Sequence, residues 1–110
     1  MNKYHNRRIE ADGHKFDSAA ECNRYYQLKL LERSGEIRNL QVHPVYLLQE
    51  RFKYAGKWER AITYEADFAY VQDDRVVVED VKGVRTPVYL LKRKLFLKQF
   101  GYDFIEIEVK

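Results

Sequence analysis

The chain contains two segments with the apolar spacing of a helix, and both are bracketed by residues that begin and end helices. In the first, Ser18 fits an N-cap and Gly35 fits the residue after the last turn, which predicts a helix over about residues 18–34. In the second, Thr86 fits an N-cap before Pro87, and Gly101 follows the last turn. Because strand-forming residues fill the sequence between and after these helices, we predict a domain of the α/β class.

Four stretches carry strand patterns. LQVHPVYLLQE is rich in β-formers and is interrupted by Pro44, which favours an edge strand or a bulge. After a polar hairpin-like segment around YAGKWE, the stretches AITYEADFAYV and RVVVEDVKG read as strands joined by the turn QDD, and DFIEIEVK alternates as a last strand. The predicted order is helix, three strands, helix, strand. We expect one domain over residues 1–110 with a polar N-terminal arm at about residues 1–15.

Charge is distributed unevenly along the chain. The formal net charge is only +3, but basic residues gather near the start and in LKRKLFLK, whereas acids gather between residues 65 and 80. An acidic centre with basic flanks suits a metal ion beside a phosphate backbone. The single cysteine, Cys22, excludes an internal disulfide and is expected to be a core thiol. Without a membrane-spanning run or a signal peptide after Met1, we expect an intracellular protein.

Charged residues interrupt the apolar strand VVVEDVKG. Alternation along a strand places Asp80 and Lys82 on one face and Glu79 on the other, where we expect it to be a solvent or opposite-face residue. Pairing with the preceding strand brings Asp67 close to the level of Asp80 and Lys82. Burying a carboxylate without a partner is costly, and Mg²⁺ prefers oxygen ligands, so this set predicts a metal site for phosphodiester hydrolysis. An ion-paired cluster where two strands leave the core is the alternative.

These residues carry a family resemblance. "AD" at residues 66–67, followed by "EDVKG" at residues 79–83, resembles the PD-(D/E)xK nuclease signature, although Ala66 stands where the signature has proline. Asp67 matches the first acid, and Asp80 and Lys82 match the (D/E)xK element. The chain is also similar to small phage and prophage nucleases of the resolvase-like branch, whose members carry an FDSxxE segment, here FDSAAE at residues 16–21, and a DVKG strand end.

The resemblance implies a restriction-endonuclease-like core, in the order α-β-β-β-α-β, with a mixed central sheet flanked by helices. It implies a Mg²⁺-dependent DNA endonuclease, for which Mn²⁺ also serves, that leaves a 5′-phosphate and a 3′-hydroxyl. The implied catalytic residues are Glu21, Asp67, Asp80 and Lys82, with the three acids as metal ligands. Branched DNA such as a Holliday junction is the expected substrate and a homodimer the expected assembly. The expected setting is the cytoplasm of a bacterial host, with the gene carried by a phage or prophage.

Several residues have two interpretations. Glu21 is either a site residue, as the resemblance implies, or the second half of a capping box with Ser18. Arg24 reaches a phosphate or pairs with Glu21. The basic residues of the second helix form either its solvated face or a phosphate-binding surface, namely Lys92, Arg93, Lys94 and Lys98. The histidines lack metal-ligand spacing and are expected at the surface or in turns, namely His5, His14 and His43.

Two other classes of function compete with the nuclease. One is a non-catalytic nucleic-acid-binding module that retains the nuclease fold, against which the intact set of two acids and a lysine argues. The other is an interaction domain with no nucleic-acid role, which salt-dependent DNA binding through Lys92 and Lys94 would exclude.

Overall fold

A computed structural model describes residues 8–109 of the chain. Two helices and ten strands follow one another as β1 Ile9–Ala11, β2 His14–Phe16, α1 Ala19–Ser34, β3 Arg38–Val42, β4 Val45–Gln49, β5 Phe52–Tyr54, β6 Lys57–Glu59, β7 Ile62–Glu65, β8 Phe68–Gln72, β9 Arg75–Lys82, α2 Pro87–Phe100 and β10 Asp103–Glu108. Neither helix is long and apolar enough to cross a membrane.

The central sheet has four strands in the order β10-β9-β8-β3. β9 runs parallel to β10 and antiparallel to β8, and β8 runs antiparallel to β3, so the sheet is mixed. The predicted α/β class with two helices is therefore confirmed. Along the chain, the two helices and the strands of this sheet occur as α1, β3, β8, β9, α2, β10. Three two-stranded pairs, β1-β2, β4-β7 and β5-β6, complete the strand pairing of the described residues.

Both helices begin and end where their capping residues predict. The Ser18 hydroxyl accepts a hydrogen bond from the Glu21 amide, and the Thr86 hydroxyl accepts one from the Tyr89 amide. Gly35 and Gly101 follow the last turns with φ of 86° and 66°, a conformation that a side chain would strain. Local chemistry therefore fixes the helix boundaries.

Two of the predicted strands are each divided, and the divisions meet in space. AITYEADFAYV splits at Ala66 and Asp67 into β7, which pairs with β4, and β8, which enters the central sheet. LQVHPVYLLQE splits at His43 and Pro44 into β3 and β4 in the same way. The His43 amide donates to the Asp67 carbonyl at 2.9 Å and the Ala66 amide to the Pro44 carbonyl at 3.0 Å. These bonds hold the two crossing segments together where both leave one sheet for the other.

Part of the polar N-terminal arm predicted at about residues 1–15 lies within the described residues. β1 and β2 form a hairpin whose Ala11 and Phe16 are buried against α1, with Asp12 and Gly13 in the turn at positive φ. Residues 1–7, including His5, lie outside the described residues. The apolar side chains of this short hairpin alternate with polar ones too briefly to be recognised in the sequence. Cys22 lies in the same core, as predicted.

The two faces of the central sheet bury different residues of β9. On the α1 side, Val77 belongs to the core that contains Phe68 and Leu28, and Val81 packs against it. On the α2 side, Val78 belongs to a second core with Phe96. Because side chains alternate along a strand, Glu79 faces the α1 side and Asp80 the α2 side.

Candidate functional site

Asp80 is a buried carboxylate near the end of β9, with only 1% of its surface exposed. The Tyr64 hydroxyl of β7 donates a hydrogen bond to its Oδ2 atom. Lys82 Nζ lies 2.8 Å from its Oδ1 atom and 4.2 Å from the centre of the Tyr89 ring. The expected common face of Asp80 and Lys82 is thus present, and two tyrosines that the sequence did not single out enclose the pair.

The Oδ1 atom of Asp80 is buried and has no hydrogen-bond donor among residues 8–109. Lys82 Nζ lies 2.8 Å from this atom, so the two groups form an ion pair. Buried acceptors without a donor are rare in folded proteins because desolvation of the oxygen is not offset. The ion pair with Lys82 is therefore the contact that offsets the burial of this oxygen.

Asp67 lies in the bend between β7 and β8, where the chain crosses between the two sheets. Its Oδ2 atom accepts a 2.6 Å hydrogen bond from the amide of Val81, the residue between Asp80 and Lys82. Its own amide donates to the Glu79 carbonyl at 3.1 Å. Backbone hydrogen bonds therefore hold this carboxylate against the end of β9, at the level that strand pairing predicts, although it lies in a bend and not inside a strand.

Glu21 belongs to this group and lies in the first turn of α1. Its backbone amide is capped by Ser18, but its carboxylate Oε1 lies 3.1 Å from Nε2 of His43. Glu21, His43 and Asp67 each offer a ligand atom, and these atoms all lie within 4.8 Å of one another. The Ser18 hydroxyl therefore makes its half of the predicted capping box, while the Glu21 carboxylate contacts His43 and not the Ser18 amide.

His43 is a residue of this cluster that the sequence did not identify. Its turn position was predicted, since it lies between β3 and β4 with φ of 55°. What the prediction missed is its side chain, which is 28% exposed and pairs with Glu21. Histidine is one of the residue types enriched in the left-handed conformation, but that preference says nothing about where the ring points. Only the crossing of the strands brings His43 to the site.

The three carboxyl groups all have raised pKa values. Burial is the largest cause for each, and it raises the pKa of Asp67 to about 7 and that of Asp80 to about 6. Burial also raises the pKa of Glu21, and the charge of Asp80 raises it further. Lys82 and Tyr64 oppose the shift at Asp80 by favouring its charged form. Because desolvation disfavours the anions, a cation placed among them would stabilise all three.

We expected Glu79 either in solvent or on the face opposite Asp80, and the solvent position is wrong. It faces the opposite side of the sheet from Asp80, as alternation predicts, but it is fully buried. Arg24 of α1 donates to its two carboxylate oxygens at 2.7 and 2.6 Å, and the Tyr70 hydroxyl donates as well. Arg24 therefore pairs with Glu79 and not with Glu21. A bidentate guanidinium satisfies a buried carboxylate, so the pair belongs to the core.

The basic residues of α2 lie outside this cluster. Lys94 and Lys98 are exposed and Lys92 is half-buried, and none of the three forms an ion pair within the described part of the chain. Arg93 instead pairs with Glu106 of β10 at 2.9 Å. Arg93 is thus engaged within the fold, while the three lysines remain available on the surface.

The donor set fits a divalent cation. The carboxylates of Glu21 and Asp67 offer the hard oxygen donors that Mg²⁺ and Mn²⁺ take, and the His43 ring offers a nitrogen, a donor that suits Mn²⁺ better than Mg²⁺. Asp80 is not one of this group of atoms within 4.8 Å of one another, but it lies beside it, since Asp67 accepts a hydrogen bond from the amide of Val81.

Comparison with protein families identifies the family of the chain. A family model described as a protein of unknown function (DUF1064) matches residues 1–109. Among curated proteins, none matches the chain. Since the matched residues span nearly the whole sequence, the chain belongs to the DUF1064 family of proteins of unknown function.

Proposed function

We propose that this protein is a Mg²⁺-dependent DNA endonuclease that hydrolyses phosphodiester bonds. The observation that carries the proposal is the buried Asp80, whose Oδ1 atom lies 2.8 Å from Lys82 Nζ and accepts no hydrogen bond from the described residues. A carboxylate oxygen has two lone pairs, so an oxygen held by one cation can accept a metal ion as a further partner. The neighbouring acids Glu21 and Asp67 supply the remaining carboxylates.

Each residue has a role that follows from its position. Asp67, Asp80 and Glu21 would hold the metal, and His43 would orient Glu21 through the contact at 3.1 Å. When bound, Mg²⁺ offsets negative charge on the phosphodiester and lowers the pKa of water. Lys82, which pairs with Asp80, would orient the attacking water and stabilise charge developing on the phosphate. The buried Tyr64 hydroxyl fixes the Asp80 carboxylate in place.

The arrangement of elements supports assignment to the PD-(D/E)xK nucleases and their restriction-endonuclease-like fold. Asp67, the first acid of the signature, comes from the bend before β8, the DxK element comes from β9, and Glu21 comes from α1. Taken without the three two-stranded pairs, the elements follow one another as α1, β3, β8, β9, α2, β10, which supports the proposed order. Of the segments that carry the resemblance, FDSAAE contributes Glu21, and DVKG contributes Asp80 and Lys82, which form an ion pair.

The substrate and setting follow from the same resemblance. Branched DNA of the Holliday-junction type is the proposed substrate, and a homodimer would place two sites on two strands. The proposed setting is the cytoplasm of a bacterium, with the gene carried by a phage or prophage.

A cleavage assay tests the proposal. With Mg²⁺ or Mn²⁺, the wild-type protein should cut a four-way junction or plasmid DNA, whereas Asp80→Asn and Lys82→Ala should each lose at least about a hundredfold in rate. Asp74→Asn is the matched control, since it removes an exposed acid at the far end of β9 and should cut normally. Equal rates for wild type and Asp80→Asn would reject the assignment. Metal-independent binding of DNA without cleavage would support the non-catalytic binding module instead.

Metal binding provides a second readout that does not depend on activity. Isothermal titration should show one or more Mn²⁺ sites in the wild-type protein, with affinity weakened about tenfold or more in Asp67→Asn. His43→Gln should weaken Mn²⁺ binding more than Mg²⁺ binding if the ring nitrogen is a ligand, and both equally if the ring only orients Glu21. Unchanged Mn²⁺ affinity in Asp67→Asn would contradict the proposed site.

A further inference from the structure

The β5–β6 hairpin stands apart from both cores of the protein. Its strands pair with each other and with no other strand in the region that the structure describes. Every residue from 50 to 61 is exposed, including the rings of Phe52, Tyr54 and Trp58. A two-stranded hairpin with no buried face has only marginal stability in water. These rings therefore add little to the fold and remain available to a partner.

The same hairpin carries a concentrated positive charge. Between residues 51 and 60 the only acid is Glu59, and the basic residues are Arg51, Lys53, Lys57 and Arg60. Four basic residues and one acid give this segment a net charge of +3, which equals the formal net charge of the entire chain. None of these basic side chains forms an ion pair within residues 8–109. The hairpin is thus, like the lysine-bearing surface of α2, a region suited to attract a polyanion.

Aromatic rings and cations are interleaved on both faces of the hairpin. On one face, Trp58 lies opposite Lys53, and the Arg51 guanidinium lies 4.3 Å from the centre of its ring. On the other face, Tyr54 lies opposite Lys57. Trp58 remains 56% exposed and Tyr54 72% exposed. Each face therefore offers a planar apolar surface next to a cation.

We infer that the β5–β6 hairpin is a binding surface for an unpaired DNA strand. Bases stack on exposed aromatic rings, and the adjacent cations contact the phosphates, which together form the usual platform for single-stranded nucleic acid. The inference rests on the proposed function in that the DNA is the substrate of the Asp80 site. An unpaired strand is present wherever branched DNA opens, so the hairpin would hold the substrate near its junction.

Trp58 provides a direct measurement, because it is the only tryptophan of the chain. In EDTA, which prevents metal-dependent cleavage, an oligothymidylate of about twelve nucleotides should quench its fluorescence. Quenching should saturate, weaken steeply as salt is raised, and be stronger for the unpaired strand than for a duplex of the same length.

Two variants keep Trp58 as the probe while changing the surface. Tyr54→Ala should weaken binding about tenfold, and Lys53→Gln with Lys57→Gln should weaken it and flatten its salt dependence. The matched controls lie on α1, where Tyr26→Ala removes an exposed ring and Arg33→Gln an exposed cation. Both controls should bind as the wild type does. An unchanged Trp58 emission spectrum in the free variants would show that the hairpin is retained.

Four results would overturn the inference. These are absence of quenching at low salt, equal affinity in wild type and Tyr54→Ala, equal quenching by duplex and unpaired strand, and a Trp58 signal that changes with protein concentration alone. The last would indicate a second copy of the chain as the occupant. Cleavage without quenching would reject the hairpin and leave the endonuclease intact. Quenching without cleavage would reject the endonuclease and leave the DNA-binding hairpin intact.

Discussion

Two neighbouring residues of β9 place buried carboxylates on opposite faces of one sheet. Glu79 is satisfied completely, since Arg24 donates to both of its oxygens and Tyr70 donates a further hydrogen bond. Asp80 accepts a hydrogen bond from Tyr64 at Oδ2, whereas its Oδ1 atom has an ion pair with Lys82 and no hydrogen-bond donor among the described residues. A buried anion held by a bidentate guanidinium stabilises a fold only as long as both partners remain. At the scale of the residue, Glu79 thus belongs to the structure and Asp80 to the proposed chemistry.

Removing Arg24 should destabilise the protein strongly. Arg24→Ala leaves the fully buried Glu79 without its cation, and we expect the free energy of unfolding to fall by about 3 kcal/mol. Arg38→Ala is the control, because its ion pair with Asp74 has side chains 60% and 93% exposed and should contribute at most about 1 kcal/mol. Urea denaturation monitored by circular dichroism would measure both. A decrease for Arg24→Ala no larger than that for Arg38→Ala would contradict the assignment of this pair to the core.

Stability of the metal-free protein should fall as pH rises from about 4 to about 7. The pKa of Asp67 is about 7 in the folded protein against 3.8 as the ordinary value, so the folded state binds the proton more tightly than the unfolded state does. The resulting stability is fully present below pH 4 and is lost as pH rises through 7. Asp67→Asn removes this pH-dependent destabilisation, and at pH 8 should be more stable than the wild type by on the order of 1–2 kcal/mol.

Urea midpoints at pH 5 and pH 8, in EDTA, would show this difference. Adding Mg²⁺ at pH 8 should stabilise the wild type more than Asp67→Asn, since only the wild type keeps the full charge of the site. Wild type and Asp67→Asn with parallel pH profiles would contradict the raised pKa.

At the scale of the element, short turns decide where the strands can go. β8 and β9 are joined by the two-residue loop Asp73–Asp74, with φ of 51° and 61°. Positive φ at both central positions matches a tight hairpin turn that suits the twist of the flanking strands. This loop sets the register that pairs Phe68 with Glu79, and so brings Asp67 to the level of Val81. The site thus depends on a turn at the other end of the same hairpin.

Replacing Asp74 with glycine should stabilise the hairpin. Left-handed backbone costs an L-residue about 1 kcal/mol, which exceeds the extra entropy that glycine brings to the unfolded chain, so Asp74→Gly should gain about 0.5 kcal/mol. Asp74→Ala removes the same ion pair with Arg38 but keeps a side chain at positive φ, so it should be less stable than the wild type. In thermal unfolding, the melting temperature should be highest for Asp74→Gly, intermediate for the wild type and lowest for Asp74→Ala. The reverse order would refute the role of the turn.

At the scale of the molecule, acidic and basic regions are separated. The buried acids lie at the strand crossing, while cations project from α2 and from the β5–β6 hairpin. A polyanion would be held by the surface cations, and its phosphate would reach the acids only with a metal between them. This separation fits a substrate that is bound by its backbone and cut at a metal site.

The lysines of α2 should contribute to DNA affinity by binding phosphates. Changing Lys92, Lys94 and Lys98 to glutamine should weaken DNA binding and lower the slope of log affinity against log salt by about 0.9 for each phosphate that is no longer neutralised. Fluorescence anisotropy with a labelled junction, in EDTA, would measure the slope. Lys15→Gln on β2 is the control, because its side chain is exposed in a different element. If the slope of the triple variant equals that of the wild type, the phosphates are not bound by these lysines of α2.

The sequence by itself determined the features that depend on neighbours along the chain. Ser18 and Gly35 delimit α1, Thr86 and Gly101 delimit α2, and alternation separates Glu79 from Asp80. Each of these follows from local hydrogen bonding or from the period of a strand, which act over a few residues.

Only the tertiary structure decided the contacts between distant segments. It divided two predicted strands at one crossing and so brought His43 to Glu21 and Asp67. It also paired Arg24 with Glu79, a residue 55 positions away in the sequence. The physical reason is that backbone amides at the crossing and the fully buried Glu79 needed partners, and only the folded packing determines which distant group supplies them.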